Sequence, residues 1–144
     1  SKDEIERNFD FYEPFTVHES SLSPCVHNIL ACVLKRDDKA YEMYLRTSRL
    51  DLDDYNNDTE DGLHITSMAG TWMSIVKGFG GLRILDNKLH LNPRLPETWE
   101  SLQFHILFRG SKLLIKINSR ATEVSVIEGQ LDQVVLDGQA INLS

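Results

Sequence analysis

A histidine, a pair of serines and a run of hydroxyl side chains are the residues whose types and spacing bear on chemistry. His64 and Thr66 lie in Asp61-Gly62-Leu63-His64-Ile65-Thr66-Ser67-Met68-Ala69-Gly70-Thr71-Trp72, which reads as the start of a helix. Asp61 and Gly62 are cap-type residues. Ile65, Met68, Ala69, Trp72 and Val76 then recur at three- and four-residue spacing and define one helix face. A surface helix would carry Lys and Glu opposite them. This one carries Thr66, Ser67, Gly70, Thr71 and Ser74, so both faces are expected to be covered. A covered helix start offers free N–H groups and a positive dipole end, which favour an anion. The plain alternative for His64 is a capping or core histidine.

Ser20 and Ser21 precede a second helix start of the same kind. Pro24 suits its first turn, and Ser21 or Ser23 is a natural cap. Leu22, Cys25, Val26, Ile29, Leu30, Val33 and Leu34 fill much of the helix that follows, to about Leu34. Other chemistries have weaker support. Asp51, Asp53, Asp54, Asp58, Glu60 and Asp61 crowd one loop. Hard cations take clustered oxygens, but this spacing matches no metal-loop pattern, and a solvated acidic loop capping the next helix is expected. Nothing selects two of these carboxylates as a glycosidase acid/base pair. A Ser-His-Asp set from Ser20 or Ser21, His64 and Asp61 lacks the glycines of a nucleophile elbow. The residues alone therefore point to an anion site between two covered helix starts.

Composition limits the classes of partner. The chain has 144 residues, 41% of them hydrophobic, enough for one domain or two small layers. Its net charge of −7 argues against a nucleic-acid or anionic-membrane surface. Phosphate can still bind, because backbone N–H groups and neutral donors suffice locally. Cys25 and Cys32 are the only cysteines. They stand roughly 10 Å apart along one helix, too far to pair with each other, and are expected to be reduced, buried thiols of a cytoplasmic protein. No zinc-type cluster, membrane span or signal peptide is visible, and no metal is expected. The chain opens Ser1-Lys2-Asp3-Glu4 without Met, which leaves room for a removed targeting segment.

The elements that must position these residues follow from periodicity. Residues 1–10 read as a frayed helical lead-in, ended by an aromatic loop of Phe9, Phe11, Tyr12 and Phe15 around Pro14. A surface helix is expected from about Asp37 to Leu50, with Ala40, Tyr41, Tyr44 and Leu45 as its stripe and Lys39, Glu42, Arg46 and Arg49 facing water. The order covered, surface, covered is that of a double-ringed helical barrel, which three helices cannot close. At Gly78-Phe79-Gly80-Gly81 the period changes to two. Hairpins at Asp86-Asn87 and Asp137-Gly138, and alternation through Leu102, Phe104, Ile106 and Phe108, predict about five to seven antiparallel strands forming a sandwich. The layer boundary falls near residue 80.

Several runs resemble glycoside hydrolase family 65, the maltose, kojibiose, nigerose and trehalose phosphorylases. They are Asn8-Phe9-Asp10-Phe11-Tyr12-Glu13-Pro14, Thr16-Val17-His18-Glu19-Ser20-Ser21-Leu22-Ser23, and Leu50 through His64 with the helix after it. Leu95-Pro96-Glu97-Thr98-Trp99 and the strands after it resemble the family's C-terminal β-sandwich less distinctively. The resemblance implies an α+β two-layer fragment of a longer enzyme. Residues 1–80 would be the last helices of a catalytic (α/α)6 barrel, carrying the phosphate-site loops, and 81–144 a C-terminal antiparallel β-sandwich.

The resemblance also implies the reaction. An acidic side chain protonates the glycosidic oxygen of an α-glucosyl disaccharide, and inorganic phosphate attacks the anomeric carbon from the opposite face, giving β-glucose 1-phosphate. The family's phosphate-binding serines and histidine fall on Ser20, Ser21 and His64, with His18 and Thr66 as second-tier candidates. No catalytic residue is expected on this chain, since the general acid and a phosphate-binding Lys-Gln step would lie upstream of Ser1. The remainder of the barrel is then an upstream polypeptide or a separate chain, and the full-length protein a homodimer. No cofactor is implied, phosphate being a substrate. A related α-glucoside hydrolase and a non-catalytic β-module supporting the barrel are the alternatives.

Overall fold

In a computed structural model, residues 1–143 are described. Ser144, the last residue of the expected β domain, lies outside the described residues. The chain divides into two compact units, Ser1–Gly78 and Phe79–Ser144.

The first unit holds four α-helices: α1 (Lys2–Tyr12), α2 (Ser23–Leu34), α3 (Asp37–Ser48) and α4 (Ile65–Met73). The lead-in is a full helix rather than a frayed one. Ser1 and Glu4 form a reciprocal capping box at its start, which satisfies two otherwise free N–H groups. Arg36 adds ion pairs to Asp10 and Glu6. Pro14 sits in a short 3-10 turn, Glu13–Phe15, and the helix stops before it. Only Phe9 of the aromatic cluster is buried, while Phe15 remains 75% exposed.

Helix α4 is packed the opposite way from a usual amphipathic helix. Its small, polar face is the buried one: Ser67, Gly70 and, just beyond, Ser74. Ser67 Oγ donates to the Thr47 carbonyl at 2.6 Å. A Cβ at Gly70 would lie 3.1 Å from Cys25 Cβ and 3.2 Å from Thr47 Cγ2. Small residues thus let α4 approach α2 and α3 closely. The expected covering of both faces does not hold within this chain, because Ile65, Met68 and Trp72 are exposed, Trp72 by 53%. Leu22 and Val26 beside α2 are exposed as well. Apolar patches of this kind ordinarily mark a partner surface.

The stripe of α3 also differs from expectation. Ala40, Met43 and Thr47 are buried, while Tyr41, Tyr44 and Leu45 are half-buried. Asn28, fully buried on α2, donates from Nδ2 to the Ala40 carbonyl at 2.7 Å and ties the two helices. Cys25 and Cys32 are buried, and neither is in a disulfide. Burial pushes the Cys25 thiol above its ordinary range. Beyond α4 a π-helical stretch runs from Ser74 to Phe79.

The second unit has seven strands: β1 (Arg83–Leu85), β2 (Lys88–Leu91), β3 (Ser101–Phe108), β4 (Ser111–Asn118), β5 (Thr122–Glu128), β6 (Gln133–Leu136) and β7 (Gln139–Asn142). They form one sheet ordered β1-β2-β6-β7 and another ordered β3-β4-β5. Asp86-Asn87 and Asp137-Gly138 turn their hairpins with positive φ at both residues, as the tight primed turns require. In the second sheet, Leu102 faces Ile117, Phe104 faces Ile115 and Ile106 faces Leu113, which stacks one buried face. Leu89, Leu91, Val134 and Val135 are the buried residues of the first. One pairing departs from the all-antiparallel expectation: β2 and β6 run parallel, with His90 opposite Val135. Parallel neighbours need a long crossover. Here the whole β3-β4-β5 sheet lies between them in sequence, a connection that local periodicity does not encode.

Candidate functional site

Ser20 and Ser21 lie in the loop before α2, and neither caps it. The N-cap position is Leu22, without a side-chain capping bond. Ser21 Oγ instead shares a 2.6 Å hydrogen bond with Thr66 Oγ1, on the first turn of α4. Ser20 Oγ accepts from the Leu22 N–H at 3.3 Å. The other expected cap, Ser23, is turned toward His18, with Oγ 2.8 Å from Nδ1. Of the three hydroxyls only that of Ser21 reaches across to α4; those of Ser20 and Ser23 bond within the loop region before α2.

His64 holds the N-cap position of α4, where Asp61 and Gly62 were the expected caps. Those residues end a short 3-10 turn, Thr59–Asp61, and leave the helix start to His64. Asp51 takes over the capping role across the loop. One oxygen accepts the His64 backbone N–H at 2.9 Å, and the other lies 2.6 Å from Nδ1. Nε2 lies 3.4 Å from an Asp58 oxygen. Within the acidic loop, Asp54 Oδ1 accepts from the N–H groups of Asp58 and Thr59. The loop thus caps α4, as expected, through Asp51 and Asp58 on His64, while Asp53, Asp54, Glu60 and Asp61 are exposed.

This geometry sets the charge of the ring. The Asp51 hydrogen bond raises the His64 pKa above the ordinary 6.5; partial desolvation opposes it, and Asp58 adds to the rise. Asp51 in turn is held below 3.8 by its bond to His64. The stabilisation from His64 is complete below pH 6.5 and is lost as pH rises through its raised folded value. The stabilisation from Asp51 is present above pH 3.8 and is lost as pH falls through its lowered folded value. Relative to a free imidazole the ring is thus biased toward imidazolium, in which Nδ1–H is bound to Asp51 and Nε2–H directed toward Asp58. Asp51→Asn is expected to move the NMR titration of His64 down toward 6.5, Asp58 leaving a residual rise. An unchanged titration would show that another group sets the charge.

His18 faces away from this arrangement. It is buried, in the left-handed backbone region at φ 59°, and its ring packs edge-on to His27 at 4.5 Å. Burial lowers its pKa, against the raising effect of Glu13 and with help from Arg46. Arg46 Nη2 donates to the His18 carbonyl at 3.1 Å, and Asn56 Nδ2 to the Glu19 carbonyl at 3.0 Å. These two bonds fasten the backbone just before the serines. An open groove of about 490 Å³ lies beside them, lined by Val17, Glu19, Arg46, Tyr55, Asn56 and Asp58. Asp51 and Asp58 entered the sequence reading only as members of the acidic loop, and Arg46 and Asn56 not at all as site residues, the roles of the latter two arising from contacts distant in sequence. The position of the acidic loop between the two helix starts was the one available signal.

Comparisons with known proteins agree in family. The model of the glycosyl hydrolase family 65 central catalytic domain matches residues 1–73, and that of the family's C-terminal domain matches residues 82–143. The maltose phosphorylase of Bacillus subtilis (strain 168) is 50% identical over 128 residues, covering 89% of this chain and 17% of that protein. The alpha,alpha-trehalose phosphorylase of Thermoanaerobacter brockii is 46% identical over 130 residues, covering 90% and 17%. A solved structure from the human microbiome, provisionally assigned as a kojibiose phosphorylase, superposes with a TM-score of 0.93 at 38% identity. It covers 99% of this chain and 21% of that one. The chain thus spans about a fifth or less of the length of these relatives.

Proposed function

The chain belongs to glycosyl hydrolase family 65, and from that premise we propose that it is the phosphate-binding, C-terminal part of an inverting disaccharide phosphorylase. Residues 1–80 contribute the last helices of an (α/α)6 barrel and 81–144 a C-terminal β-sandwich. The substrates are an α-glucosyl disaccharide of the maltose type and inorganic phosphate. A phosphate oxygen attacks the anomeric carbon and the glycosidic C–O bond breaks. A general acid on the rest of the barrel gives its proton to the leaving sugar. The products are β-glucose 1-phosphate and glucose. Cys25 and Cys32, as buried thiols outside any disulfide, suit a reducing compartment such as the cytoplasm.

On this chain Ser20, Ser21 and His64 bind the phosphate. The observation that carries the proposal is the Ser21–Thr66 hydrogen bond. It ties the serine loop to the first turn of α4, whose N-cap is His64. A dianion there would meet hydroxyl donors, the free N–H groups of a helix start and a ring biased toward its cation. Phosphate would have to take Nε2 from Asp58, whose 3.4 Å contact is the looser of the two. Thr66 and His18 act through neighbours, Thr66 on Ser21 and His18 on Ser23. The exposed apolar edge of α4 is consistent with further barrel helices packing there.

Disaccharide cleavage by the full-length protein, followed with and without phosphate, tests the proposal. Glucose 1-phosphate should form only when phosphate is present. Equal release of glucose in its absence would assign the protein to the hydrolases.

A further inference from the structure

Apart from the serine loop, a second cluster of side chains is built without an evident purpose. Glu13, His18 and His27 each present one ligand atom, and the three atoms lie within 4.8 Å of one another. They come from three places: the 3-10 turn after α1, the loop before Ser20, and α2. His18 is only 8% exposed, and its Nε2 is buried without a hydrogen-bond partner. Its separation from Glu13 Oε1 is 3.7 Å, too long for a hydrogen bond. Nδ1 of His27 is likewise buried and unpartnered. Two buried ring nitrogens without hydrogen-bond partners, on residues grouped with one carboxylate, are costly in a folded protein unless something joins them.

We propose that Glu13, His18 and His27 form a binding site for a divalent transition-metal cation of the zinc class. Imidazole nitrogen and carboxylate oxygen are the donors such ions take, at about 2.0–2.2 Å. Tetrahedral geometry at those lengths puts the ligand atoms roughly 3.4 Å apart. The 3.7 Å between His18 and Glu13 is already near that value, and small side-chain rotations close the rest. Ser23 supplies the supporting contact. Its Oγ, 2.8 Å from Nδ1 of His18, can accept a hydrogen bond from Nδ1–H, which fixes the tautomer that leaves the Nε2 lone pair for the cluster.

Two cations flank the site. Lys39 Nζ lies 3.0 Å from Glu13 Oε1 but also 2.9 Å from Glu42 Oε2, so it keeps an ion pair when Glu13 turns to the metal. The Arg46 guanidinium is held on backbone carbonyls. With one carboxylate on the site and these charges nearby, the site suits a borderline ion with nitrogen preference rather than calcium or magnesium. Bound there, the metal would cross-link the end of α1 to α2 and fix His18, close in sequence to Ser20. The site stands on its own geometry and does not depend on the phosphate proposal.

The test uses the full polypeptide without a histidine tag, dialysed against chelator. Titration with Zn²⁺ should show one strong equivalent and a raised melting temperature. Co²⁺ should give visible bands of a four- or five-coordinate site. His27→Gln and Glu13→Gln should each weaken Zn²⁺ binding at least about tenfold and abolish the thermal shift, with unchanged circular dichroism in the absence of metal. Should these variants fail to fold, Ser23→Ala, which touches only the orientation of His18, should weaken binding about 10- to 100-fold. Absence of a strong equivalent in the parent protein, or an equivalent unchanged in every variant that folds, would overturn the proposal.

Discussion

In the full-length protein, His64→Ala is expected to raise the phosphate concentration needed for half-maximal cleavage by at least about tenfold, because one charge-assisted hydrogen bond is worth roughly 1.5–3 kcal/mol. The disaccharide dependence stays nearly unchanged. The ring is held toward its cation by Asp51 and Asp58. Its removal takes away a donor and also leaves two carboxylates uncompensated beside an incoming dianion. Both effects weaken phosphate and neither acts on the sugar. Steady-state rates at saturating disaccharide, with phosphate varied, check it. A fall in kcat with an unchanged phosphate dependence would place His64 elsewhere in the mechanism.

Gly81→Ala destabilises the β unit by about 2–5 kcal/mol, the sum of left-handed strain and overpacking. Gly81 has φ +62°, and a Cβ there would lie 2.0 Å from the Asn92 carbonyl oxygen and 2.7 Å from its nitrogen. These are backbone atoms, so no side-chain rotation relieves the clash. The Gly81 carbonyl also accepts the Asn92 N–H at 3.3 Å, beside the β1–β2 pairing. Shifting one strand therefore disturbs the ladder that Leu89 and Leu91 anchor in the core. Urea unfolding of the purified variant measures the loss. A midpoint equal to that of the parent would mean that the chain relaxes there at no cost.

Local signals in the sequence were legible wherever neighbours in sequence are neighbours in space. The period of 3.6 through Ile65, Met68 and Trp72 gave α4. Asp86-Asn87 and Asp137-Gly138 gave their hairpins. The capping box of Ser1 and Glu4 is equally local, and it is the signal that distinguishes the full helix α1 from a frayed lead-in. Which face of α4 is buried was not legible. Apolar residues suggest a core, but close approach to Thr47 and Cys25 needs the small residues Ser67 and Gly70. The parallel β2–β6 pairing, the Asp51–His64 bond and the Glu13-His18-His27 cluster all join residues brought together only by the fold. For the candidate site, residue types pointed to Ser20, Ser21, His64 and Thr66, whereas the side chains that orient them required the structure.

A crystal structure of the full-length protein grown with inorganic phosphate would test the central claim most directly. The account predicts one phosphate within about 3 Å of the Ser20 and Ser21 hydroxyls and of His64 Nε2, with Asp51 still on Nδ1. Phosphate bound in the catalytic cavity away from these three residues, with His64 still turned to Asp58, would contradict it.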